Sequence, residues 1–179
     1  MNGQTSRYRT SAVGMVGALL ILLAVIAAFL VMRELVRTTP ETPVRAVDYQ
    51  ETVRYAGDRA SFDVLAPPSL PTGWRATSAS YTPAPEERWH LGVLTEDGEY
   101  VGIEQELRSV ESMVEEYVDQ EAVAGERIEL TGATGPAGWT TYRDDSGDHA
   151  LVRREGDLTT LVVGTADQRV LVDYVQSLE

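Results

Sequence analysis

Two histidines, His90 and His149, are the only imidazoles in the 179-residue chain. They stand too far apart for metal-ligand spacing, and no third ligand is marked near either. His90 follows Trp89 in an alternating stretch, and His149 follows an acidic turn. A structural strand histidine is the preferred reading of each. Cysteine is absent, which excludes a disulfide framework, a thiolate zinc site, a cysteine nucleophile and a lipoprotein anchor. Lysine is absent as well, so no amine can reach a phosphate. Gly132, Gly135 and Gly138 in TGATGPAG match neither a dinucleotide nor a Walker pattern, and the stretch reads as a plain connector. No G-x-S-x-G elbow occurs, so nothing marks a serine hydrolase. Asp144, Asp145 and Asp148 around Ser146-Gly147 carry the oxygen ligands a hard cation takes, but without the twelve-residue loop and its distal glutamate. An acidic hairpin tip is preferred. Glutamates are numerous enough for acid–base work, although spacing does not say which two would meet. No catalytic residue, metal or cofactor is expected.

The elements that would position these groups follow from local pattern. Asp48 and Glu51 match an N-cap with its reciprocal partner, opening a helix from Tyr49 to Gly57. Phe62 to Leu65 reads as a short strand, stopped by the prolines of Ala66 to Pro71. Thr72-Gly73 is a turn, and Trp74 to Tyr81 the next strand. Trp74 is expected to be core. Trp89–Leu94 and Glu99–Glu106 flank Glu96-Asp97-Gly98, whose Asp-Gly pair signals a hairpin. Val110, Met113, Val114, Tyr117 and Val118 form one helical stripe, capped by Ser109. Thereafter come strands at Arg127–Leu130, Trp139–Arg143, His149–Arg154 and Leu158–Gly164, with Thr131–Gly138 as a glycine loop. A capping box at Thr165 and Gln168 opens a last helix, buried through Val170, Leu171, Tyr174, Val175 and Leu178. This is an α+β domain: one antiparallel sheet with helices packed on one face.

Ahead of the domain stands an uncharged apolar stretch, Ala12 to Met32. At about 1.5 Å per residue it is long enough to cross a hydrocarbon core of about 30 Å. The run continues through Phe29, Leu30, Val31 and Met32, past the small residues where a signal peptide would be cut, so an uncleaved signal anchor is preferred. The expected layout is a cytoplasmic tail over 1–11, a membrane helix over 12–32, a linker over 33–47 and an extracytoplasmic domain over 48–179. Arginines on the two sides nearly balance, so charge alone does not set the orientation. Gly14 and Ala18 have the spacing of a helix-dimer seam, for which ordinary small-residue content is the preferred account. From Pro40 onward 11 arginines face 27 carboxylates, the wrong sign for a nucleic-acid partner. The lipid bilayer is the expected partner of the anchor, with another envelope protein as the expected partner of the domain.

LAPPSLPTGWRATSA (Leu65 to Ala79) and WHLGVLTEDGEYVGIEQE (Trp89 to Glu106) are the most distinctive blocks. With them the chain resembles the actinobacterial family of domain of unknown function 4245. That resemblance implies a single-pass membrane protein and assigns no activity. Trp89, His90 and Gln105, which lie in the second block, are the candidate ligand-binding residues. The Pro-Gly-Trp opening is also similar to that of exported domains with a Mog1/PsbP-like fold, a likeness of fold alone. The leading function is a membrane-anchored binding or assembly module of the cell envelope. The alternative is an envelope hydrolase using glutamate and histidine, His90 among them, for acid–base chemistry.

Overall fold

The structure, a computed structural model, describes residues 17, 19–22, 26, 46–132 and 135–179. The chain divides into two compact units, Met1–Val44 and Arg45–Glu179. In the first, Gly17, Leu19 to Leu22 and Ile26 are helical. Among the described residues no helix is long and apolar enough to cross a membrane. Most of the expected span, with Ala12, Met32, Gly14 and Ala18, lies outside the described residues, as do the tail and the linker up to Arg45.

The second unit is one seven-stranded sheet with three helices. Its strands are β1 (Arg75–Thr82), β2 (Arg88–Leu94), β3 (Tyr100–Glu106), β4 (Val123–Gly132), β5 (Gly135–Arg143), β6 (His149–Glu155) and β7 (Leu158–Gly164). They lie in the order β1-β2-β3-β7-β6-β5-β4, and every neighbouring pair is antiparallel. The helices are α1 (Tyr49–Gly57), α2 (Val110–Tyr117) and α3 (Gln168–Gln176). The α+β class and the antiparallel sheet are as expected.

Side-chain alternation gives the sheet two apolar faces. Trp89, Leu91, Val93, Val101, Ile103, Leu151 and Val162 point to a first face, where they pack with Tyr49 and Ala56 of α1 and Leu171, Tyr174 and Val175 of α3. Ala150, Val152, Leu161 and Val163 point the other way and pack on Met113 and Val114 of α2. The helices therefore sit on both faces, not on one. The reason is visible in β6 and β7, whose residues are apolar at successive positions; such strands need cover on both sides. Ser109 caps α2 by accepting the Ser112 N–H at 3.2 Å, and Asp48 caps α1 by accepting the Gln50 N–H at 3.1 Å.

Four local expectations change. Phe62 to Leu65 forms no strand, and the backbone groups of Asp63 and Leu65 are met by side chains instead. The glycine loop is not a loop: β4 and β5 run on to the pair Gly132 and Gly135, so most of TGATGPAG is ladder. Thr165 does not cap α3. Its hydroxyl accepts the Tyr100 N–H at 2.9 Å, and Asp167 takes the N-cap position without a side-chain bond. Trp74 precedes β1, where it is half-buried and stacks on Tyr174 with ring centroids 6.2 Å apart. The fully enclosed tryptophan is Trp89.

Candidate functional site

The two faces separate the candidate residues. Trp89 and Gln105 are register partners on β2 and β3, both on the first face and both 0% exposed. Their polar atoms are committed to the segment Asp63–Leu65. Gln105 accepts the Leu65 N–H at 2.8 Å and donates to the Asp63 carbonyl at 3.1 Å. The Trp89 indole N–H donates to the Leu65 carbonyl at 3.0 Å. Two side chains thus do the work of a neighbouring strand for Asp63–Leu65, which satisfies backbone groups that burial would otherwise leave unpaired.

His90 lies on the second face. Here α2 covers β6 and β7, its Tyr117 reaches Glu106 at the end of β3, and on β1 and β2 Ser80 and Arg88 are exposed while Ser78 and His90 are half-buried. His90 pairs in register with Glu104 on β3, and its Nδ1 is hydrogen-bonded to the Glu104 carboxylate. On the other side its Nε2 meets Ser78 Oγ of β1 at 2.7 Å. Ser78, His90 and Glu104 therefore form a continuous hydrogen-bonded row across three adjacent strands. Glu104 is 5% exposed at its side chain and His90 24%, so the row is buried at one end and open at the other.

A β-bulge places Ser78 in this row. Ala76 faces Val93 and Ser78 faces Gly92, so Thr77 is the extra residue. Before the bulge Ala76 belongs to the first face. After it Ala79 and Tyr81 do, and Ser78 and Ser80 turn to the His90 face. Without the extra residue Ser78 would stay in phase with Ala76 and point into the core. Gly92 then makes room. A Cβ there would lie 2.6 Å from Ser78 Oγ and 3.1 Å from the Tyr100 ring, which folds back over the strand.

Two further polar groupings adjoin. Along the same face, Tyr117 donates its hydroxyl to Glu106, and Arg108 bonds Glu106 at 3.2 Å and Glu116 more closely. Glu106, Arg108 and Glu116, with Arg88, Glu86 and Leu107, line a cleft of about 430 Å³ that borders the row without containing it. Arg88 has no ion pair within 4.0 Å among the described residues. Glu87 is tied inward. It accepts from the Ser61 N–H at 2.8 Å, the Ser61 hydroxyl at 2.6 Å and the Tyr81 hydroxyl at 2.7 Å. The Ser61 hydroxyl is the main reason its carboxyl is held below the usual value. The acidic tip is a closed turn, in which Asp144 accepts the Gly147 and Asp148 N–H groups, each at 2.7 Å. His149 pairs with Arg143 and Gly164 at the start of β6. Among the described residues no three His, Asp or Glu side chains converge as a metal site.

Burial raises the Glu104 carboxyl above its ordinary 4.5, with His90 pulling it back. Because the folded value lies above the unfolded one, the fold favours the protonated acid. The stability this contributes is complete below about pH 4.5 and is lost as pH rises through the folded value. The free-energy difference between wild type and Glu104→Gln should therefore shift against wild type between about pH 4.5 and pH 7 in urea melts. A pH-independent difference would show that Glu104 is not desolvated.

Sequence reasoning singled out His90 but not its neighbours. Register could have found Glu104: an Asp-Gly turn pairing Thr95 with Glu99 puts His90 opposite Glu104. Nothing in the letters of β1 announces the bulge, so Ser78 had no signal.

No curated protein and no solved structure matches the chain. One family model does, over residues 7–178, and its description is a protein of unknown function, DUF4245. With both distinctive blocks inside that match, the chain belongs to the DUF4245 family.

Proposed function

We propose that this protein is a single-pass, membrane-anchored binding or assembly module of an actinobacterial cell envelope. In this reading it engages its partner through the exposed β1–β2 part of the second sheet face. The anchor rests on the uncharged run from Ala12 to Met32. One observation carries the binding face. Where β1 and β2 are exposed, Ser78 and His90 are fixed by each other and by the buried Glu104, and the Arg88 guanidinium, beside the Tyr117 hydroxyl, stands next to them. Polar groups held in place on an open surface fit a partner that offers hydrogen-bonding and anionic groups, and need little ordering when it binds. The candidate residues then divide: His90 faces the partner, while Trp89 and Gln105 support the face from behind.

The test is positional. A photo-crosslinking amino acid replaces exposed Ser80 on this face, or exposed Glu126 on β4 at the far edge of the sheet. In native membranes a discrete adduct is expected from position 80 and none from position 126. Equal adducts from both, or none from position 80, would count against this face.

The second reading, an envelope hydrolase using glutamate and histidine, is favoured by the Glu104 bond to His90 Nδ1. A carboxylate there orients the ring and leaves Nε2 as the working nitrogen.

A further inference from the structure

We infer that Ser78 is a nucleophile, activated by His90 and Glu104 for acyl transfer from carboxylic esters. This goes beyond binding, since a partner can be held without Ser78 reacting. The geometry is that of a three-member relay. An ionised carboxylate can only accept, so Glu104 places the imidazole proton on Nδ1. Nε2 is then a bare acceptor, and the group that meets it at 2.7 Å is the Ser78 hydroxyl. That distance lies within the range expected for a nucleophile and its base, and the base is oriented by a third group, as such chemistry needs. The relay is recognised by geometry and roles, so the missing G-x-S-x-G elbow does not argue against it.

Three structural features serve this arrangement. The bulge at Thr77 turns Ser78 out of the core. Gly92, its register partner, has no side chain to occupy the space the Ser78 hydroxyl fills. Glu104 is nearly enclosed, while His90 keeps a quarter of its side chain open to a reactant. Ser80, one register step away and exposed, pairs directly with His90 but makes no hydrogen bond to it among the described residues. That makes Ser80 an internal control.

The step balances as follows. Ser78 Oγ bonds to the ester carbonyl carbon while its proton passes to His90 Nε2. The carbon–oxygen bond to the leaving group breaks, and that oxygen takes the proton from Nε2 to depart as the alcohol. Water then attacks the acyl-serine and gives one proton to Nε2. The carboxylic acid leaves, and Ser78 recovers its proton from His90.

The full chain in detergent, treated with a fluorophosphonate probe, tests this. Expected is one adduct that peptide mapping places on Ser78, absent from Ser78→Ala and retained in Ser80→Ala. His90→Ala should slow labelling of Ser78 by about 10²–10⁴-fold, the usual contribution of a positioned base. No adduct on wild type, or equal labelling of Ser78 without His90, overturns the inference. A second measurement does not depend on removing His90. The chain has no cysteine, so Ser78→Cys and Ser80→Cys each carry a single thiol. A free thiol titrates near about 8.5 and is mostly unreactive at about pH 6 unless a base lowers it. At that pH Ser78→Cys should alkylate at least about tenfold faster than the more exposed Ser80→Cys. The reverse order would mean that His90 does not activate this position. A crosslink from position 80 without any Ser78 adduct would leave the binding face standing and remove the nucleophile.

Discussion

Trp89→Ala should destabilise the domain by about 3–5 kcal/mol, and Trp74→Ala by clearly less. Trp89 is fully enclosed and packs in the first-face core with Leu91 and Ile103 as its strand neighbours. Deleting a buried large aromatic leaves a cavity, which accounts for most of this loss. The Leu65 carbonyl then loses its indole donor, which places the loss in the upper part of that range. Against a total of about 5–15 kcal/mol for a domain, this approaches global unfolding. Trp74 keeps one side open and contributes through its stack on Tyr174, for which about 0.5–1.5 kcal/mol is the usual worth beyond area. Urea melts of residues 46–179 carrying each change decide the order. A Trp89→Ala domain that melts within about 0.5 kcal/mol of wild type would refute the packing described here.

Local signals were legible where they were redundant. The β2–β3 hairpin combines alternation on both strands with an Asp-Gly turn, and Gly98 adopts the φ of +83° that such a turn asks of its glycine. The α2 stripe repeats over two turns, and its five apolar residues all join the second-face core. Legibility failed where a residue had two competing uses. Thr165 and Gln168 match a capping box, but the Thr165 hydroxyl is taken by a backbone donor from β3, far away in sequence. Gly135 and Gly138 suggested a loop, yet a glycine is tolerated in a strand whose neighbour supplies the ladder, as β4 does.

The candidate site was half legible for a related reason. Alternation with Leu91 and Val93 is enough to put His90 opposite the core face, and alternation with Val101 and Ile103 is enough to put Gln105 on it. The family blocks grouped Trp89, His90 and Gln105 because they are close along the chain, whereas the sheet places them back to back. Ser78 was hidden because β1 is made of small residues whose apolar and polar members fit either phase. A single extra residue at Thr77 decides between them, and that decision is made by packing of Ala76, Ala79 and Tyr81, not by the local sequence.

Gln105→Leu provides the sharpest test of how the first face is held together. Leucine matches the apolar surroundings and roughly the volume, so a simple hydrophobic account expects little change or a gain. The hydrogen bonds argue otherwise. Gln105 alone supplies the Leu65 N–H with an acceptor and the Asp63 carbonyl with a donor among the described residues. Leucine removes both partners and leaves both backbone groups in place, at about 1–3 kcal/mol for each group that stays buried. A loss of about 2–5 kcal/mol is expected, or a release of the segment into water that limits the loss. Hydrogen exchange separates the two outcomes, since release exposes the Leu65 amide while the rest of the core stays protected. The Thr160 contact, at 3.4 Å, is too long to matter much, so Thr160→Val should stay within about 0.5 kcal/mol of wild type. Because Trp89 and Gln105 hold the same residue from two sides, Trp89→Phe and Gln105→Leu should not be additive. Once Leu65 is free of one, its bond to the other is worth less, and the double variant should lose less than the two single losses combined. Strict additivity would mean that the two side chains act separately and that the segment is held by its apolar contacts alone.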